Sequence, residues 1–225
     1  MKAVPRGRYV YAIVRGSAVA PRARGIGGRA LVRVRAGRVA AIAEPMERPP
    51  AVAVERLEAQ ERLVRRLAAR HAAILPARFG SHTKDEAELQ SILRIQGASL
   101  ARGLTRVRGA EQMILRLHFS ESSSGPGVPG PGSGSGSGTA YLRRLAGADI
   151  PLLAAIRAAL ARLRIVRGER VELQQTSLSV YHLISRGDSR RYSSAVFEAT
   201  SRESGVAAIV SGPWPPYAFA PDLIE

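Results

Sequence analysis

Residues 120–138 read SESSSGPGVPGPGSGSGSG. Apart from Glu121 the stretch carries no charge, and Val128 is its only large apolar residue. A segment of this composition buries too little apolar surface to offset its ordering entropy, so it is predicted to be a disordered tether. As a flexible Gly/Ser coil its ends would lie roughly 20–25 Å apart. It divides the chain into an N-terminal domain over 1–119 and a C-terminal domain over 139–225, and the fold has to be read separately on each side.

Upstream, Tyr9, Tyr11 and Ile13 alternate with Val10, Ala12 and Val14. Both faces of that strand are apolar, which predicts a central position in a sheet. Residues 18–28 form a loop containing Pro21, Gly25, Gly27 and Gly28. Residues 31–34 and 39–42 flank Arg35-Ala36-Gly37-Arg38 and predict a hairpin with Gly37 at positive φ. A helix is predicted over 55–72, with Leu57, Val64, Leu67 and His71 near one face and Glu58–Arg62 and Glu61–Arg65 as i,i+4 pairs. A short strand over 74–79 is interrupted by Pro76. One long helix over 84–107 follows, with Leu89, Ile92, Leu93, Leu100 and Leu104 apolar. Gly109 ends it, and Met113, Leu115 and Leu117 alternate as a strand.

Downstream, Asp149 is the expected cap of a helix whose stripe is Leu153, Ile156, Leu160 and Leu163, with Pro151 in the first turn. Strands are predicted over 171–173, 178–184 and 206–210. Between the last two lies a helix over 189–201, with Asp188 as its cap. The half reads α-β-β-α-β, a ferredoxin-like sandwich that lacks its first strand or borrows one. The fold class is therefore α+β: two domains, each an antiparallel or mixed sheet with helices packed on one face.

The 225 residues carry 34 Lys and Arg against 18 Asp and Glu, a net +16. Only Lys2 and Lys84 are lysines, and no block of five like charges occurs. A solvated arginine-rich surface is the first account of that charge, an acidic protein partner the second and nucleic acid the third. Aromatic residues are only 5% of the chain, and the paired aromatic motif of the common ferredoxin-like RNA-binding module is missing. Cysteine is absent, which removes disulfides, Cys-based metal sites and thiol catalysis. No apolar run approaches the roughly 20 residues of a membrane helix, and Arg15 ends the apolar stretch at 9–14 too early for a secretory signal. A soluble cytoplasmic protein is expected.

Few residues suggest chemistry. His71, His82, His118 and His182 have no metal-ligand spacing, and His71, on an apolar helix face, is read as a core histidine. Gly25-Ile26-Gly27-Gly28 is followed by a strand rather than a helix, so it is read as a flexible turn and not a nucleotide loop. No nucleophile elbow and no carboxylate pair in contrasting environments occur. Arg186-Gly187-Asp188 is read as a strand-to-helix turn. No catalytic, cofactor or metal residue is expected, and no small-molecule substrate.

Two peptides stand out: Leu75-Pro76-Ala77-Arg78-Phe79-Gly80, and Gly212-Pro213-Trp214-Pro215-Pro216-Tyr217-Ala218-Phe219 with the only tryptophan. The second is stiff and extended, because proline fixes φ and removes backbone donors. Its rings could dock on the chain's own core or form a surface patch.

These peptides, with 9–14, Gly25-Ile26-Gly27, 39–43, His71, Gly109-Ala110-Glu111 and Gly138-Thr139-Ala140-Tyr141-Leu142, resemble the gas vesicle protein F/L family over nearly the whole chain. The lengthened segment at 120–138 is the main departure. The resemblance implies a minor, non-enzymatic gas vesicle protein that binds the hydrophobic major shell protein, limits its aggregation and helps nucleate the vesicle. It also implies other gas vesicle accessory proteins as partners, and a fold of an α+β N-terminal domain with a modified ferredoxin-like C-terminal one. Arg78, Phe79, Trp214, Pro215, Pro216 and Tyr217 are the candidate partner-contact or domain-closing residues.

Overall fold

A computed structural model describes residues 5–19, 21–119, 151–174, 177–201 and 206–223. The expected tether, the Asp149 cap and residues 139–142 lie outside them. The chain forms two compact units, 1–111 with 214–225, and 112–213.

The first unit is built on strands β1 (Arg8–Arg15), β2 (Val32–Ala36), β3 (Val39–Pro45), β4 (Leu75–Pro76) and β5 (His82–Thr83). Their order is β2-β3-β1-β4, with β5 also on β1. β1 is central, and its residues 9–14 are buried, as a strand apolar on both faces requires. The β2–β3 turn places Gly37 at φ +58, where a side chain would be strained, and pairs Ala36 with Val39. Helix α1 (Val54–Arg70) packs Leu63, Val64 and Leu67 against Tyr9, Tyr11, Val14 and Ile42. Helices α2 (Glu86–Ile95) and α3 (Gly97–Arg106) bury Leu89, Leu93, Leu100 and Leu104.

The second unit contains β6 (Ala110–Phe119), α4 (Pro151–Leu163), β7 (Val166–Gln174), β8 (Ser177–Ser185), α5 (Ser189–Thr200) and β9 (Val206–Trp214). The strand order is β7-β8-β6-β9. Its core joins Met113, Leu115 and Leu117 of β6 to Leu152, Leu153, Ile156 and Leu160 of α4 and to Leu178, Val180 and Tyr192. The element order βαββαβ is that of the ferredoxin-like unit. The strand missing from the downstream half is thus β6, contributed from upstream of the predicted tether and set in the interior of the sheet.

The units therefore divide the chain differently from 1–119 and 139–225. The apolar alternation of β6 is satisfied only inside the second sheet, and the aromatic tail is satisfied only on the first unit. Four local readings also differ. The long helix is two, because the chain turns at Gln96 with Gly97 beside it; Gln96 serves as the end of α2 and the start of α3. His71 is half-buried rather than in the core, since its extended backbone (φ −115, ψ 131) takes it off the helix. Leu57 is exposed and Gln60 takes a buried place on α1 instead. Asp188 precedes α5, but its carboxylate pairs with Arg191 at 2.8 Å and makes no side-chain cap.

Candidate functional site

The peptide at 75–80 enters as the short strand β4, pairing Leu75 with Ile13 and Pro76 with Ala12. The Ala77 N–H then donates to the Tyr11 carbonyl at 2.9 Å. Gly80 lies at φ +91, so the turn requires glycine. Its N–H donates to the Tyr9 phenol oxygen at 3.1 Å, and that phenol donates to Gln60 Oε1 at 2.5 Å. The Tyr9 and Phe79 rings meet edge to face at 6.1 Å. A buried phenol that both accepts and donates thus fixes this turn against α1.

The tail docks on the same unit. Arg65 of α1 stacks its guanidinium 4.1 Å from the Trp214 ring centroid. Pro215 and Pro216 are buried. Tyr217 opens a short 3-10 turn to Phe219 and donates its phenol proton to Glu61 Oε2 at 3.0 Å. Burial and the Glu61 carboxylate push the Tyr217 phenol well above its ordinary pKa. Phe219 is buried, with Arg106 5.1 Å from its centroid. Arg78 pairs with Asp222 at 2.9 Å, and Gln96 Nε2 donates to the Leu223 carbonyl at 3.4 Å.

Of the six candidate residues, Arg78 is exposed, Phe79, Trp214 and Tyr217 are half-buried, and Pro215 and Pro216 are buried. The exposed Arg78–Asp222 pair joins the first peptide to the residues just beyond the second, more than 130 positions away in sequence. The tail rings dock on the chain's own unit, leaving a partly exposed rim.

Sequence reasoning missed two polar clusters. Glu44 is wholly buried, and its carboxylate accepts from the Tyr11 phenol (2.7 Å), the Gly27 N–H (3.0 Å) and the Arg29 N–H (2.7 Å). The Tyr11 oxygen also accepts the Ile26 N–H at 2.8 Å. The glycine loop is therefore pinned to an internal carboxylate rather than being a flexible turn. A Cβ on Gly25 would collide with Glu44 Oε2. The available signal was an acid closing a wholly apolar strand.

The second cluster is in the other unit. His182, 1% exposed, has Nε2 2.9 Å from Glu169 Oε2 and Nδ1 2.7 Å from the Tyr192 oxygen. Arg157 grips Glu169 with contacts of 2.6 and 3.1 Å. Burial holds the imidazole below its usual pKa against the pull of Glu169. A neutral ring with its proton on Nε2 satisfies both neighbours: it donates to Glu169 and accepts from Tyr192. Burial raises the Glu169 pKa, but the bonds from Arg157 and His182 outweigh it and hold the carboxyl below the usual range. Tyr192 and His182 are buried, while Glu169 and Arg157 carry the chain of contacts out to the surface. No local spacing announces it.

Among the described residues no group of three His, Asp or Glu could hold a metal, and no helix is long and apolar enough to cross a membrane. A shallow, open groove of about 680 Å³ is lined by Ser17, Ala18, Val19, Pro21, Arg22, Arg70 and His71. β9 is the last strand of its sheet, has no charged residue, and exposes Ile209.

Fold and site together define an α+β protein of two units whose singular peptides both pack in the first unit. The model of the gas vesicle synthesis protein GvpL/GvpF family matches residues 7–221, and the chain belongs to that family. Its fold is similar to the crystal structure of gas vesicle protein GvpF from Microcystis aeruginosa, with a TM-score of 0.68 and 13% identity over 96% of this chain and 99% of that one. It is also similar to GvpF from Anabaena sp. PCC7120, with a TM-score of 0.64 and 14% identity over 96% and 98% of the two chains. No curated protein matches. The family is a structural and accessory one, associated with gas vesicles.

Proposed function

We propose that this protein binds the hydrophobic major shell protein of the gas vesicle in the cytoplasm, limits its aggregation and helps nucleate the vesicle together with other accessory proteins. On this reading it works without catalysis. The observation that carries it is the family match across residues 7–221. Shell subunits with apolar strand edges aggregate unless covered. An uncharged edge such as β9 offers main-chain pairing to an extended apolar segment. The rim formed by Arg78, Phe79, Trp214 and Tyr217 offers a second contact, with Pro215 and Pro216 beneath it.

Co-expression of the full chain with the shell protein tests this. The expected outcome is co-purification and less insoluble shell protein. Normal flotation of cells lacking the gene would overturn it, as would shell protein that stays equally insoluble with and without the chain.

A further inference from the structure

Residues 1–43 contain ten basic residues and no acid. The first carboxylate, Glu44, is buried and held by Tyr11, Gly27 and Arg29, so it neutralises nothing on the surface. Two of these arginines, Arg33 and Arg35, stand on β2. β2 is an edge strand, with β3 on one side and no strand on the other among the described residues. Its side chains alternate: Val34 and Ala36 are buried, while Arg33 and Arg35 are exposed. Arg33 donates to the Ala18 carbonyl and Arg35 to the Gly37 carbonyl, which orients both side chains. Neither makes an ion pair among the described residues, whereas Arg62 and Arg65 of α1 both do.

We propose that the outer edge of β2 is a docking site for an extended acidic polypeptide segment with carboxylates at alternate positions. An added strand shares the pleat, so every second side chain falls on the face that carries Arg33 and Arg35. The repeat is about 6.6 Å in both strands. Main-chain bonds supply affinity, and arginine–carboxylate pairing supplies selection. Charged side chains also guard an edge against pairing. Here the guard rejects a second copy of this chain, which would set arginine against arginine, and it rejects basic strands, but it admits acidic ones. Nucleic acid fits poorly, because β2 offers only Val32, Val34 and Ala36 between its arginines and no ring on which a base could stack. The proposal uses none of the residues of the rim or of β9 and does not depend on the shell-protein reading.

Fluorescence anisotropy at low ionic strength tests it on the full-length chain. The probes are a labelled peptide alternating Glu and Val over eight residues and a block peptide of four Glu then four Val. The alternating peptide is expected to bind at least tenfold more tightly, and to protect amides within 32–36 from hydrogen exchange. The double variant Arg33→Glu/Arg35→Glu is expected to weaken it at least tenfold. Because Arg33 also ties down residue 18, Arg35→Glu alone serves as the second variant, with an expected loss of at least threefold. Equal binding of the two peptides, unchanged binding by Arg35→Glu, no new protection in β2, or tighter binding of a single-stranded oligonucleotide of equal charge would each overturn the proposal.

Discussion

Tyr217 donates its phenol proton to Glu61 at 3.0 Å, joining residues 156 positions apart. This bond ties the aromatic tail to α1, next to the stacked pair of Arg65 and Trp214 and the Arg65–Glu61 ion pair at 2.8 Å. Two of the tail's neighbours, Glu61 and Arg65, therefore lie within five positions of one helix.

Tyr217→Phe removes only the hydroxyl. The bond reaches a charged acceptor, so the expected loss is about 1.5–3 kcal/mol of stability, read as a lower urea midpoint. Trp214 is the sole tryptophan, so its emission reports tail docking directly. A red shift at urea concentrations below the main transition is expected in the variant and not in the parent. An unchanged midpoint and emission would show that the tail is held by its buried rings alone.

Glu44→Ala leaves the Tyr11 hydroxyl and the Gly27 and Arg29 amides without their acceptor. Each unsatisfied buried group costs about 1–3 kcal/mol, so a loss of several kcal/mol is expected. Gly25→Ala acts on the same site from the other side, placing its methyl group against the buried carboxylate. Both variants are expected to speed hydrogen exchange at Gly27 and Arg29 while leaving the second unit's amides unchanged.

Acidification is expected to weaken the second unit in two stages. The folded His182 pKa is depressed, so below about 6.5 the unfolded chain binds a proton that the native ring refuses, and stability falls with pH. Glu169 is also depressed, and its stabilisation is lost as pH drops through its folded pKa. His71 shifts in the same direction, so the first unit is expected to lose stability over the same pH range. His182→Gln should flatten the change in urea midpoint between pH 7 and 5. An equally steep profile in the variant would remove His182 from the account.

A fragment spanning 139–225 is expected to be unfolded by far-ultraviolet circular dichroism, because β6 lies in the interior of its sheet. Leu115→Ala in the full chain tests the same contact more gently. The side chain is fully buried, and truncations of this type cost about 2–5 kcal/mol. A cooperatively folded 139–225 fragment would show that β6 is dispensable.

The hairpin with Gly37, the central β1, the stripe of α4 and the strand β8 were all legible, because each depends on neighbours a few residues apart. The two peptides at 75–80 and 212–219 were legible as singular, but their meeting was not. Arg78 has no local reason to find Asp222.

The sequence alone determined the periodicities, the positive φ of Gly37 and the family, since these are written in residues close together along the chain. Tertiary structure alone decided that β6 completes the second sheet, that the tail returns to α1, and that Glu44 pins the glycine loop. Each of these satisfies a polar or apolar group with a partner distant in sequence. Only closure of the chain makes such a partner local, and no period or spacing encodes it.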